Sequence, residues 1–186
     1  MVGLVEKLAN VTTSFFKSHN DLIYVLGEDY EELGGSEYLK VIHNKVAGDC
    51  PHLDLQVELN LHETILALIK NKLIESAHDV SEGGIICALA ECCIMNEENF
   101  IGAEVNIPIR TREDFSLFSE SQSRIIISVN ETNQKEFESI LNKKKQHHAL
   151  LGKTTNEKFI INNKINLDLK ELSEIYYDTI PRIMNA

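Results

Sequence analysis

Residues 21–27 read Asp21-Leu-Ile-Tyr-Val-Leu-Gly27, five apolar or aromatic residues with no polar interruption. Successive side chains of a strand point to opposite faces, so a strand apolar at every position must be covered on both. This run predicts a strand inside a sheet with a packing layer on either side, closed by Gly27. A second stretch, 57–74, carries Leu61, Ile65, Leu68, Ile69 and Leu73 at helical spacing and predicts a long amphipathic helix to supply one such layer.

The remaining elements follow the same logic. Residues 76–79 read as a short strand, and 80–84 as a glycine turn. The turn opens a helix over 84–95 that is apolar on most sides, with Glu91 its only charge before the end. Strand patterns follow at 101–109, 124–129, 148–153, 158–161 and 164–167, with Asn162-Asn163 as a hairpin turn. A short helix at 133–141 should turn Phe137, Ile140 and Leu141 inward. A last helix from Asp168 carries Leu172, Ile175, Tyr176, Ile180 and Ile183 and is kinked or ended by Pro181. One mixed sheet with helices packed on it, an α/β fold in a single domain over 1–186, is the expectation, with residues 1–20 as a linking segment.

Composition excludes several function classes. Eighteen Lys and Arg stand against 29 Asp and Glu, a formal net charge of -11 in 186 residues. Neutralising phosphates along DNA or RNA needs a surplus of cations, so no nucleic-acid partner is expected. No apolar run reaches the roughly 20 residues of a membrane span, so no membrane association is expected. Cys50, Cys87, Cys92 and Cys93 lack paired spacing and read as reduced thiols of a cytoplasmic protein. Cys50-Pro51-His52 has no second Cys/His pair to complete a metal site, and no catalytic triad, Walker loop or dinucleotide fingerprint occurs. The run Lys143-Lys144-Lys145 with His147 and His148 reads as a solvated helix end.

Three polar motifs stand out. In His78-Asp-Val-Ser-Glu-Gly-Gly84 a strand ends in a glycine turn that opens a helix. That arrangement aims free backbone N–H groups at one point and suits a phosphate or carboxylate. In the alternative, Ser81 caps the helix, Asp79 bonds the turn, and Gly83 and Gly84 only permit the reversal. The second motif, Ser119-Glu-Ser-Gln-Ser-Arg124, offers Ser121, Gln122, Ser123 and the Arg124 guanidinium as a polar lining, with Arg124 able to grip a phosphate in bidentate fashion; otherwise it is a solvated loop. The third, Gly34-Gly35-Ser36, is a possible nest of backbone donors or a turn whose serine caps the next helix.

These motifs, in this order with Ala88-Leu-Ala-Glu91 and Pro181-Arg-Ile-Met184, resemble the C-terminal domain of phosphoribosylformylglycinamidine synthase, within the superfamily of aminoimidazole ribonucleotide synthetase. The resemblance runs over nearly the whole chain. It implies the mixed-sheet fold of the synthetase's C-terminal domain and a role in a purine-biosynthetic ligase. That ligase uses ATP and magnesium to activate formylglycinamide ribonucleotide and glutamine-derived ammonia to form the amidine. The ATP-binding domain and a glutaminase domain or subunit are the implied partners. Most nucleotide contacts, the magnesium ligands and the catalytic residues belong to the ATP-binding portion, outside this chain. The domain is therefore expected to be inactive alone, to hold no cofactor tightly, and to expose an apolar docking surface that could drive self-association. The resemblance assigns phosphate or ribose contacts to Ser81, Gly83, Gly84, Ser121, Gln122, Ser123 and Arg124, with His78, Asp79 and Glu120 orienting them. The wording departs at Ser119, where the family usually has Gly, and at Glu82, which replaces the commoner Asp. Two other roles stand beside this one: a scaffold whose glycine turns are purely structural, and the equivalent domain of a sister enzyme such as selenophosphate synthetase.

Overall fold

The computed structural model describes residues 4–5 and 7–185. Its centre is β1 (Leu22–Leu26), buried at every position. It lies in a seven-stranded sheet of order β2-β4-β1-β5-β3-β6-β7, whose other strands are β2 (Ser76–Asp79), β3 (Gly102–Val105), β4 (Ile125–Val129), β5 (His148–Thr155), β6 (Lys158–Ile161) and β7 (Ile165–Asp168). β1 pairs antiparallel with β4 and β5, while β3 and β6 run parallel, so the sheet is mixed.

Alternation along β1 divides the interior into two cores. Leu22, Tyr24 and Leu26 meet α2 (Leu55–Lys70) and α5 (Gln134–Lys144) through Leu61, Leu68, Phe137 and Leu141. Ile23 and Val25 face the other side, with α3 (Gly84–Ile94), α4 (Glu113–Phe118) and the start of α6 (Leu169–Met184). Helices thus cover both faces of one sheet, as the uninterrupted apolar run requires.

Several elements differ from expectation, each for a local reason. α2 stops at Lys70, because Lys72 takes φ 58; Leu73 and Ile74 reach the core from the following loop. The strand expected over 101–109 ends at Val105. α4 went unforeseen, being six residues long with no side chain capping its start. Asn162 and Asn163 both adopt φ 53, the left-handed pair that a two-residue hairpin turn demands.

Within the expected linking segment, Phe16 is buried and the Thr13 carbonyl accepts from the Ala77 N–H. α6 runs through Pro181 to Met184 instead of ending there. Of its apolar residues Leu172 packs on the core, but Ile175, Tyr176, Ile180 and Ile183 are exposed. No described element covers that side of the helix.

Candidate functional site

The three motifs, distant in sequence, meet at one carboxylate. Glu120 Oε1 accepts the backbone N–H of Gly83 at 2.8 Å, at the start of α3. The same oxygen accepts the N–H of Glu37 at 2.9 Å, the first residue of α1 (Glu37–His43). Both groups are donors that a helix leaves unsatisfied in its first turn, and both lie at its positive end. The anion at the glycine turn of α3 is therefore a side chain of the protein.

Each turn has its own reason. Gly84 holds φ +72, and a Cβ there would lie 2.7 Å from the backbone of Phe118 and Ser119. Glycine is needed both for the left-handed conformation and for the approach of α3 to the end of α4. Gly83, at φ 79, is the N-cap residue and has no side chain with which to cap the helix itself. Ser81 does not cap α3: its carbonyl accepts the Gly84 N–H, and its side chain is exposed, as Glu82 is. At the third motif Ser36 does cap, its Oγ accepting from the Leu39 N–H. Gly34 sits against the Asp49 backbone.

Strand β2 delivers His78 beside α3. The ring is 8% exposed, with Nδ1 2.7 Å from the Asp79 carbonyl and Nε2 3.1 Å from the Glu91 carboxylate. A carbonyl only accepts, so Nδ1 carries a proton. Burial works against charge on this ring, but the Glu91 hydrogen bond, the Asp79 carbonyl and the two nearby carboxylates outweigh it and raise the pKa above the ordinary histidine value.

The loop 119–124 is tied down from within. Arg124 is 3% exposed. Its Nε donates to the Ser121 carbonyl at 3.1 Å, one Nη donates to the Ser119 carbonyl at 2.5 Å, and the other lies 3.6 Å from Asp29. The guanidinium thus faces its own loop rather than solvent. Ser119 and Ser121 are buried, 3.0 Å apart through their hydroxyls, and Ser121 donates to Glu32 Oε2 at 2.7 Å. The left-handed residue here is Ser123, at φ 59, whereas Ser119 has φ -56 and needs no glycine. Ser123 donates to Glu58 in the first turn of α2.

The expected site residues therefore fall into two groups. Gly83 and Glu37, the neighbour of Ser36, meet at the Glu120 carboxylate, whereas Gly34 and Gly35 turn to Asp49 and to the Ala47 carbonyl; His78 and Asp79 lie on β2. Gln122 and Ser123 point the other way and line a cavity of about 630 Å³ at the end of β1. Arg124 lines a small cavity of about 80 Å³ between the two.

Sequence reasoning missed Glu32, whose carboxylate joins Ser121 to the His52 N–H and whose backbone N–H is held by Ser119 Oγ. Its place directly ahead of Leu33-Gly34 was the available signal. Among the described residues no group of three or more His, Cys, Asp or Glu side chains is placed to hold a metal ion, and no helix is long and apolar enough to cross a membrane.

Comparison with known proteins adds three findings. The family described as AIR synthase related protein, C-terminal domain, matches residues 18–162. The phosphoribosylformylglycinamidine synthase subunit PurL of Alkaliphilus metalliredigens is 37% identical over 190 residues, covering 100% of this chain and 25% of that subunit. Two solved structures share the fold. T. maritima PurL complexed with ATP has a TM-score of 0.68 and 19% identity, over 89% of this chain and 28% of that one. PurLQS from Thermotoga maritima has a TM-score of 0.69 and 18% identity, over 90% and 28%. The chain spans about a quarter of the length of the curated relatives it matches.

Proposed function

The chain belongs to the AIR synthase related family as a C-terminal-type domain, and we propose that it serves as one domain of a cytoplasmic phosphoribosylformylglycinamidine synthase, closing a ligand cleft against a separate ATP-binding domain. The observation that carries this reading is the convergence of three polar motifs, at 34–36, 78–84 and 119–124, on the Glu120 carboxylate. In that cluster Glu120 takes the Gly83 and Glu37 N–H groups and fixes the turns as one rigid polar wall, the kind of preorganised frame on which phosphoryl chemistry is built.

In the complete enzyme, ATP activates an amide oxygen of the ribonucleotide and glutamine-derived ammonia displaces the phosphate. This domain shapes the cleft and supplies no catalytic group. Gln122 and Ser123, which line the larger cavity, and the exposed Ser81 are the proposed phosphate or ribose contacts; the Gly83 and Gly84 N–H groups are already taken by Glu120 and by the Ser81 carbonyl. Arg124 acts from behind, by holding the Ser119 and Ser121 carbonyls. Magnesium is not assigned to these residues, because they offer no cluster of carboxylates or imidazoles for it. The exposed side of α6, with Ile175, Ile180 and Ile183, fits the wall on which a neighbouring domain packs and accounts for the self-association expected of the separate chain.

The test is a hybrid enzyme. The matching quarter of the Alkaliphilus metalliredigens subunit is replaced by this chain, and ATP-dependent amidine formation is followed with ammonium as donor. Turnover in the hybrid, and none from the 186 residues alone, is the expected outcome. A soluble, folded hybrid that binds the ribonucleotide but never turns over would refute the assignment. Adding Gln122→Ala, an exposed residue of the cavity lining, to the hybrid separates a binding role from a scaffold: unchanged affinity and rate would leave the loop with a structural part only.

A further inference from the structure

Helix α2 is apolar on two faces. Leu61, Ile65 and Leu68 are buried against the sheet and α5. On the opposite face Leu55, Leu59 and Leu66 are 74%, 50% and 66% exposed. Together with His62 they fall at the alternating steps of four and three residues that make a seam for packing on another helix. A helix that is apolar all round belongs between two layers, and no described element supplies the second one here.

The charges beside this seam are divided between its ends. Asp54 and Glu63 lie exposed towards the start, and Lys70 and Lys72 lie exposed at the finish. Asp54 turns Oδ1 to the backbone N–H groups of Gln56 and Val57, which leaves Oδ2 open. Glu63 stands 4.0 Å from Lys144, a loose pairing in water. His62 meets Glu58 through Nε2 at 2.7 Å, and Nδ1 is its remaining nitrogen. Two such helices laid antiparallel about a two-fold axis bring unlike ends together. Leu59 then faces Leu66 of the second copy, His62 stands beside Glu63 of the second copy, and Asp54 meets Lys70 of the second copy. Each pair occurs twice, as a self-complementary contact requires. A parallel arrangement would set Lys70 against Lys70 and lose every one of these pairs.

We propose that the outer face of α2 is a contact between two copies of this chain, packed antiparallel about a two-fold axis. The helix makes a seam roughly 24 Å long. A contact of that extent falls at the low end of specific interfaces, below about 1,200 Å² in total, so the dimer is reversible, with a Kd of roughly 10–100 µM. Leu55, Leu59, His62, Glu63, Leu66 and Lys70 belong to none of the three motifs and line neither cavity. The contact therefore stands independently of the synthase assignment. It is also separate from the exposed side of α6, because α2 and α6 pack on opposite faces of the sheet.

Sedimentation equilibrium and backbone amide NMR of the 186-residue chain test this, in a parent carrying Ile180→Gln/Ile183→Gln so that the exposed side of α6 takes no part. A monomer–dimer equilibrium is expected in that parent, with concentration-dependent amide shifts along 55–70. Adding Leu59→Gln/Leu66→Gln places good helix formers at exposed positions, so α2 keeps its fold while the dimer weakens about tenfold or more. Lys70→Glu sets a like charge against Asp54 of the second copy and should weaken the dimer about threefold at low salt, an effect that fades in high salt. A chain that stays monomeric into the millimolar range would leave the face to another domain or protein and overturn the proposal. So would a dimer that the Leu59→Gln/Leu66→Gln pair leaves intact, a Lys70→Glu variant that dimerises as its parent does, or amide shifts confined to another surface.

Discussion

Replacing Glu120 tests whether one carboxylate holds the motif cluster together. Its Oε1 accepts from Gly83 and Glu37 at 2.8 and 2.9 Å, each at the start of a helix. A hydrogen bond to a charged group contributes roughly 1.5–3 kcal/mol when its loss leaves a buried partner unpaired. Glu120 is only half-buried, so water reaches the abandoned donors and the lower end applies. Glu120→Ala should then cost about 2 kcal/mol, which in a chain of this size lowers Tm by about 4–8 °C. Glu120→Gln keeps an acceptor oxygen while losing the charge that faces two helix starts, and should cost about half as much. Urea unfolding at constant m-value measures both. Amide exchange gives the local readout: the Gly83 and Glu37 protons should lose protection together. If Glu120→Ala unfolds at the parental midpoint, or exchange at these two amides stays as it was, the carboxylate is not what joins the turns.

Other consequences follow from single groups. Asp21 is 1% exposed, and its Oδ2 has no hydrogen-bond partner; burial, with help from Glu75, lifts its pKa to about 6. The fold thus binds this proton more tightly than the unfolded chain, so stability should fall as pH rises from about 4 to about 6. Asp21→Asn should stabilise at pH 7 and do little at pH 4; equal effects at both would rule the charge out. For His78 the raised pKa means its contribution is whole below the unfolded value of 6.5 and is lost as pH climbs through the folded one. Its NMR titration midpoint should lie above the ordinary histidine value, and should drop with Glu91→Gln; a midpoint below that value would contradict the pairing. Gly84→Ala should cost more than 2 kcal/mol, because left-handed strain of about 1–2 kcal/mol combines with a backbone clash. Gly35→Ala, at φ +70 with nothing within 4 Å of the added carbon, should pay the strain alone. Equal destabilisation of the two variants would show that the approach of α4 is unimportant.

Much of the molecule was legible because periodicity is a local record of burial. The uninterrupted run at 22–26 announced a strand with cover on both faces, the spacing of Leu61, Ile65 and Leu68 announced α2, and paired asparagines announced the last hairpin. Motif wording pointed to the family, and residues 18–162 match it. α4 stayed hidden, since six residues are too few to show a period. The apolar residues of α6 left core and docking face undivided, because a stripe says that a face seeks cover without saying where the cover comes from.

Tertiary structure decided what each polar residue faces. The sequence by itself determined which residues belong to turns and which to the interior, since backbone preference and side-chain hydrophobicity act over a few neighbours. It did not determine that Arg124 turns inward to its own carbonyls, that Glu120 reaches two helix starts, or that Lys144 and Lys145 rim a cavity with His52. The last two join residues from 37 to 93 positions apart, brought together only when the helices settle on the sheet. A charge or a hydrogen bond takes its meaning from the partner a few ångströms away, and that partner is chosen by packing.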